Sequence, residues 1–418
     1  MQECKHSSNW WHKLAGGLCA CLLAASANGV EMTISAAFRP SVLSPQTVQF
    51  ENTTPQAGFC RSWPATCSRD KIFSIGLPVS WSYPSLKSGQ TDPRKGAYIK
   101  VPNTFRTVQI VNTQTGQTSQ LRFRVSAMAS TYNLAQRAME ITGSSNSLDA
   151  HGKLWIDGYW QKPSGNCIGL TATWLSDKWA SSLWGYPESA GGCYKQAAYN
   201  IASPGVSITD AGLMYVLQTP SPLELGNGEY KGSLEYRIGP GQDFDFGDTA
   251  TADASTVKIN FLLSVEHELK VNYPDNARQV LLEPAGGWSV WLQQGRTPGP
   301  LQRDIPFTVA SSGNFSVRLE CQYKVGSKCG IANGKQLVIP VTTALSMEGL
   351  RVKGSGLNAA RIPLSNDLAV VFSAQTASAT RRSQLHFGVA AADVVTMAKQ
   401  SGDRFLGTVT LLFDASAI

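Results

Sequence analysis

The stretch Phe405-Leu-Gly-Thr-Val-Thr-Leu-Leu-Phe-Asp414 decides how this chain is built. Val409, Leu411 and Phe413 fall on one face at the two-residue period of a strand, and Thr408, Thr410 and Asp414 fall on the other. Only Leu412 breaks the alternation. Gly407 stands just inside, where a missing side chain lets another backbone come close. A domain that ends on such a strand pairs it on both edges or leaves an apolar edge open. An open edge is an aggregation hazard and also a docking site for a strand from another chain. Two assignments fit: the last strand of an ordinary sandwich, or the closing strand of a domain that a partner completes.

Upstream of this strand, short apolar runs recur at 269–273, 279–282, 288–292, 307–309, 315–323, 336–341, 344–352, 369–373 and 384–389. Turns every eight to twelve residues over about 150 residues are a sandwich signature, and no sustained helical period interrupts them. A domain boundary is expected at Glu266-His-Glu268, giving a C-terminal domain over 266–418.

The region before it, 30–265, is organised in the same way. Val30, Met32, Ile34, Ala36 and Phe38 alternate with Glu31, Thr33, Ser35, Ala37 and Arg39, the pattern of a half-buried strand. This strand either pairs inside its own domain or is donated to a neighbouring chain. A proline-interrupted stretch over 40–101 leads to a hairpin over 107–125, and 130–142 is expected to hold a short helix. Further strands are expected at 207–217, 228–238 and 255–265, with an acidic loop over 243–253.

At 418 residues the chain exceeds one core, and charged residues are only 16%. The net charge of +7 is spread without a basic block, which leaves a nucleic-acid partner unsupported. Residues 1–29 have the form of an export signal: Lys5, His12 and Lys13 precede the apolar run 14–25, and Ala27-Asn-Gly29 is a cleavage site. Leu18-Cys-Ala-Cys21 loosely resembles a lipoprotein box with an atypical second position. No later stretch reaches the ~18 apolar residues of a membrane span. Maturation would leave Cys60, Cys67, Cys167, Cys193, Cys321 and Cys329, an even number that implies disulfides in an exported chain. Fifteen connectivities are open, of which pairing of sequence neighbours is the simplest. Zinc is excluded by the spacing and by the scarcity of histidines.

Several of these features resemble the minor tip subunits of class 5 fimbriae and the related cable-pilus initiators, of the alternate chaperone–usher pathway. They are Gly58-Phe-Cys60 with Cys67, Asn166-Cys167 with a cysteine some 25 residues on, and Gly228-Glu-Tyr-Lys-Gly-Ser-Leu234. Ala277-Arg278 with Leu281-Leu-Glu-Pro284, and Gly407-Thr-Val-Thr-Leu411, complete the set. The resemblance implies an all-β protein of two immunoglobulin-like sandwiches, an adhesin domain followed by an incomplete pilin sandwich. It implies passage through the periplasm with a chaperone, assembly at an outer-membrane usher, a donor strand from the major pilin subunit, and a place at the fimbrium tip. The function implied is a tip adhesin that initiates the pilus and binds a host surface glycan or glycoprotein; a structural initiator without its own receptor is the alternative. In this pattern Gly407, Val409, Leu411 and Phe413 form the terminal pilin strand. The family's receptor arginines are not matched, since Pro55 and Gly239-Pro240 stand in their places.

Candidate receptor residues are therefore the nearby cations Arg61, Arg69, Lys231 and Arg237 and the exposed members of the tryptophan set, Trp63, Trp174, Trp179 and Trp184. Trp and Tyr crowd 154–194, and such rings either cover sugar faces or fill a core. An enzyme is not expected. There is no Gly-x-Ser-x-Gly, His-Glu-x-x-His or phosphate loop, and His151 near Asp149 and Asp157 offers a triad on paper alone. The acidic loop misses the calcium-loop spacing, so no cofactor or metal is expected.

Overall fold

The computed structural model describes residues 28–40, 49–70, 72–170, 174–295, 299–374, 380–400 and 402–415. The export signal and the cysteines within it lie outside the described residues, apart from Asn28 and Gly29. Gly29 already opens a strand.

The protein is all-β, with two separate groups of sheets. In the first, one long sheet runs in the order Trp81–Tyr83, Val206–Gln218, Thr118–Leu134, Arg106–Asn112, Gly228–Arg237, Thr256–Val265, Gly29–Phe38. It curls back on itself, so that Phe123 in the fourth of the strands by sequence meets Tyr215 and, edge-on at 5.4 Å, Phe261. Ile34, Phe38, Ile110, Phe123, Tyr230 and Phe261 are fully enclosed between the curled faces. Strand Gly29–Phe38 pairs at home: it runs parallel to Thr256–Val265 from Gly29 opposite Thr256 to Phe38 opposite Val265. Its alternation is realised in burial, with Met32, Ile34, Ala36 and Phe38 inward.

The second group has two facing sheets. One contains Leu269–Asn272, Leu301–Ser311, Thr380–Val389 and Val338–Met347 in that order; the other runs Leu350–Val352, Val370–Ala374, Phe315–Cys321, Val409–Asp414. Ile305, Phe307, Val317, Leu319, Leu345, Phe372 and Leu385 fill the space between them. The closing strand Val409–Asp414 stands at an edge. Among the described residues it pairs only with Phe315–Cys321, Leu411 opposite Leu319. A complete sandwich would bury its inward face, yet Val409, Leu411 and Phe413 are half-buried. Gly407 fits its expected role, since a Cβ there would lie 2.5 Å from the Gly330 carbonyl oxygen.

Three disulfides join sequence neighbours: Cys60–Cys67, Cys167–Cys193 and Cys321–Cys329. Some local expectations need correction. The helix expected over 130–142 is only Ala138–Thr142, because strand Thr118–Leu134 continues through the first part with alternate residues in the core. The run at 288–292 is helical, Ser289–Gln294, stopped by Gly295 at φ 63. The run at 279–282 is not a strand, and Ala391–Ala398 is a helix too short to show a sustained period. The runs at 336–341 and 344–352 are largely one strand, Val338–Met347, followed by Leu350–Val352.

Candidate functional site

Among the concave surfaces of the described residues, two gather the side chains singled out in the sequence, one on each group of sheets. The first is built on the curled sheet. Its floor is the stretch 129–133, Ser181 and Ser182 from strand Trp179–Gly185, and a bulge in Val206–Gln218. That bulge follows from the register: Thr209 faces Thr131, but Gly212 faces Ala129, leaving Asp210 and Ala211 unpaired. Asp210 takes φ 51, a left-handed conformation that a non-glycine residue adopts at a cost of about 1 kcal/mol or more. The wall is the helix Phe59–Ser62, tied to the helix Pro64–Asp70 by Cys60–Cys67. Both cysteines are buried against Ala127, Leu183 and Met214, so the disulfide also seats the wall on the sheet. Gly58, at φ 59, allows that seating, since a Cβ would press to 3.2 Å from the Gly212 Cα.

The resulting pocket has a volume of about 650 Å³. Arg61, Trp63, Trp174 and Trp179 all line it. Trp63 and Trp174 lie 4.9 Å apart between ring centroids and remain 39% and 49% exposed; Phe59 stacks behind Trp63 at 6.1 Å. An exposed indole pair is an apolar face with polar edges, suited to a sugar ring. The Arg61 side chain makes no ion pair among the described residues, and the buried Ser182 hydroxyl has no hydrogen-bond partner among them. Cation, hydroxyl and indole faces therefore converge on one space.

The other expected receptor residues are placed elsewhere. Trp184 is a core residue, 2% exposed, its Nε1 donating to the Trp160 carbonyl, and it drops out of the receptor surface. Its companions Trp155, Trp160 and Tyr186 are buried with it. Arg69, in the last turn of Pro64–Asp70, does not line the pocket. Lys231 and Arg237 lie on strand Gly228–Arg237, separated from the pocket floor by Arg106–Asn112; Lys231 pairs with Glu229 at 3.6 Å. Asn133, Ser182 and Asp210 belong to the site without having been anticipated. The bulge shows in the sequence only as a change of parity, with Val206 and Ile208 inward before it and Ala211, Leu213 and Tyr215 inward after it.

The other candidate chemistries are accounted for by packing. His151 is buried, its Nε2 at 2.7 Å from the Ser176 carbonyl and its Nδ1 against the Tyr132 hydroxyl; burial lowers its pKa. Asp149 pairs with Lys153 at 2.7 Å instead. In the acidic loop Asp245 and Asp248 hold Arg94, Asp243 holds Arg106, and Asp253 accepts from the Ser80 N–H.

The second surface is a groove of about 590 Å³ beside the closing strand. Val409, Leu411 and Phe413 form one side, and Val280, Leu282, Ile305, Leu385 and Phe387 the other. The groove runs beside Val409–Asp414 at the edge of its sheet, where among the described residues no second strand pairs with it, so backbone donors and acceptors lie next to an apolar channel. That combination accepts an extended peptide with alternating side chains.

No protein-family model matches the chain, and no curated protein matches it. Solved structures similar to it include a chaperone–tip adhesin complex of CFA/I fimbriae, at 12% identity, 94% of this chain, 97% of that chain and TM-score 0.25. Another is a mutant of the CFA/I adhesin CfaE of enterotoxigenic E. coli, at 10% identity, 94% of each chain and TM-score 0.27. A third is the chaperone–tip subunit complex CsuC–CsuE of Acinetobacter baumannii, at 9% identity, 93% of this chain, 99% of that chain and TM-score 0.20. The first two belong to CFA/I fimbriae and the third to chaperone–usher Csu pili; at such scores the likeness adds no weight to what the residues themselves support.

Proposed function

We propose that the chain is an exported fimbrial tip adhesin that initiates a pilus by donor-strand complementation and holds a host surface glycan or glycoprotein in the pocket of Arg61, Trp63, Trp174 and Trp179. The observation that carries it is the closing strand at a sheet edge, paired on one side with Phe315–Cys321 and with its half-buried apolar face beside a groove. In the periplasm a chaperone strand would fill this groove, and at the outer-membrane usher the donor strand of the major pilin subunit would replace it. Better apolar packing, at about 25 cal/mol per Å² buried, is enough to drive such an exchange. The pairing of Gly29–Phe38 at home agrees with a subunit that donates nothing and stands first in the fibre. The boundary at residues 266–268 would separate adhesin from pilin domain.

Both halves are open to test on the purified chain. A peptide copying a shaft-subunit N-terminus, at a hundredfold excess over its Kd, should stabilise the fold by about 2.7 kcal/mol, read as a rise in Tm. No rise at saturating peptide would remove the pilus assignment. For the receptor half, binding to mucin or a glycan array should weaken by about 2 kcal/mol in Trp63→Ala with unchanged circular dichroism. Undiminished binding would favour the structural initiator without a receptor.

A further inference from the structure

The outer face of the larger C-terminal sheet carries a side-chain relay unrelated to the groove or the pocket. Asp304, His386 and Ser346 lie on three adjacent strands, Leu301–Ser311, Thr380–Val389 and Val338–Met347. Asp304 stands opposite His386 in the register, and Ser346 stands opposite Gln384, diagonal to the histidine. Their neighbours Ile305, Leu385 and Leu345 point into the core, which turns the three polar side chains to the other face. His386 Nδ1 is 2.8 Å from Asp304 Oδ1, and His386 Nε2 is 2.8 Å from Ser346 Oγ. The imidazole is only 5% exposed. With the carboxylate accepting the Nδ1 proton, Nε2 is left to accept from the serine hydroxyl.

Ser346 is half-buried. It lines a cleft of about 1000 Å³ together with Asn272, Tyr273, Thr308, Arg382 and Gln384; His386 is buried beside it, and Asp304, at the far end of the relay, is open to solvent. The Arg361 N–H donates to Ser346 Oγ at 2.9 Å, and Arg361 holds φ 46, a strained conformation for a residue with a side chain. The Arg361 guanidinium lies 3.4 Å from the other oxygen of Asp304. A relay of hydroxyl, imidazole and carboxylate, ending on a hydroxyl that faces a cleft, has the geometry of nucleophilic acyl transfer.

We propose that Ser346 is an activated nucleophile toward carboxylic esters, with His386 as its base and Asp304 as the residue that positions His386. Oγ bonds to the ester carbonyl carbon as its proton passes to His386 Nε2. The tetrahedral oxyanion collapses, the C–O bond to the alcohol breaks, and the leaving alkoxide takes the proton from Nε2. Water, deprotonated by the same nitrogen, then attacks the acyl-serine to release the acid and restore the hydroxyl. The Arg361 N–H donates to Oγ itself and so holds the hydroxyl beside the imidazole.

The full-length purified chain should react with a fluorophosphonate probe to give one adduct, located on Ser346 by peptide mass spectrometry. Ser346→Ala should abolish it. His386→Ala should slow it at least about 100-fold, and Asp304→Asn at least about tenfold, with each variant's Tm measured alongside. A burst of about one equivalent of product is expected with p-nitrophenyl acetate. If His386→Ala does not fold, His386→Gln, which keeps a polar side chain of similar size but offers no base, decides and should slow labelling by at least about 100-fold. No labelling of the folded chain, labelling that survives Ser346→Ala, or a rate no greater than that of the heat-unfolded protein overturns the proposal. The three residues would then be a hydrogen-bonded clip that fastens the Arg361 turn to the sheet.

Discussion

Trp179 and Trp184 sit on one strand, five residues apart, and therefore on opposite faces. One lines the pocket and the other is sealed in the core. Composition marked the aromatic region but could not divide it; strand parity does, once the strand is known. At the same scale, Gly407 was legible as a close approach, and the Gly330 oxygen is what approaches. Gly407→Ala should destabilise the protein by about 1–3 kcal/mol, since that contact is backbone and cannot swing aside. Urea denaturation checks this, and an unchanged midpoint would mean the closing strand is held differently. Lys195, fully buried with its Nζ on the Ile156 and Lys162 carbonyls, has a pKa lowered by burial to about 8. Between about pH 8 and 10.5 the unfolded chain holds a proton that the folded one has lost, so this group's contribution to stability rises with pH. That rise should disappear in Lys195→Met, measured as the urea midpoint at pH 7.5 and 9.5.

Among elements, strands with one buried face announced themselves through alternation, as Gly29–Phe38 and Thr256–Val265 do. Short helices did not. Trp288-Ser-Val-Trp-Leu292 is as apolar as a strand, yet Ser289–Gln294 is a short helix that Gly295 stops. The disulfides were legible as a set because neighbours in sequence became neighbours in space. They are not equal. The Cys167–Cys193 bridge closes 26 residues of chain and Cys321–Cys329 only 8. On the chain-entropy model, removing the longer should cost about 1 kcal/mol more than removing the shorter. Paired Cys→Ala variants, compared by thermal unfolding, test the order; equal losses would point to packing rather than loop closure.

For the molecule as a whole, the joint is a histidine. His267 Nε2 donates to the Leu225 carbonyl at 2.7 Å, its Nδ1 is 3.3 Å from Ser312 Oγ, and Phe38 meets the ring edge-on at 5.4 Å. Residues from both groups of sheets thus converge on one imidazole, and Gly313 leaves room for it, since a Cβ there would come within 2.5 Å of the ring. Burial lowers its pKa from 6.5, as it does for His151. A base with a depressed folded pKa gives its stabilisation in full above the unfolded value and loses it as pH falls below. Acidification below about pH 6.5 should therefore lower Tm, and His267→Gln should flatten part of that dependence. A Tm that stays level from pH 7.5 to 5 would exclude it.

The parallel pairing of Gly29 with Thr256 also fixes a timetable. Ribosomes deliver chains from the amino end, so the first strand appears roughly 230 residues before the one it lies beside. At about 5–20 residues per second synthesis alone separates the two strands by about 10–50 s, and in an exported chain Met32, Ile34, Ala36 and Phe38 have no permanent companion until both strands have crossed the membrane. The amino-terminal half thus closes last where it began first, and a chain cut short anywhere before residue 256 keeps that greasy ribbon uncovered.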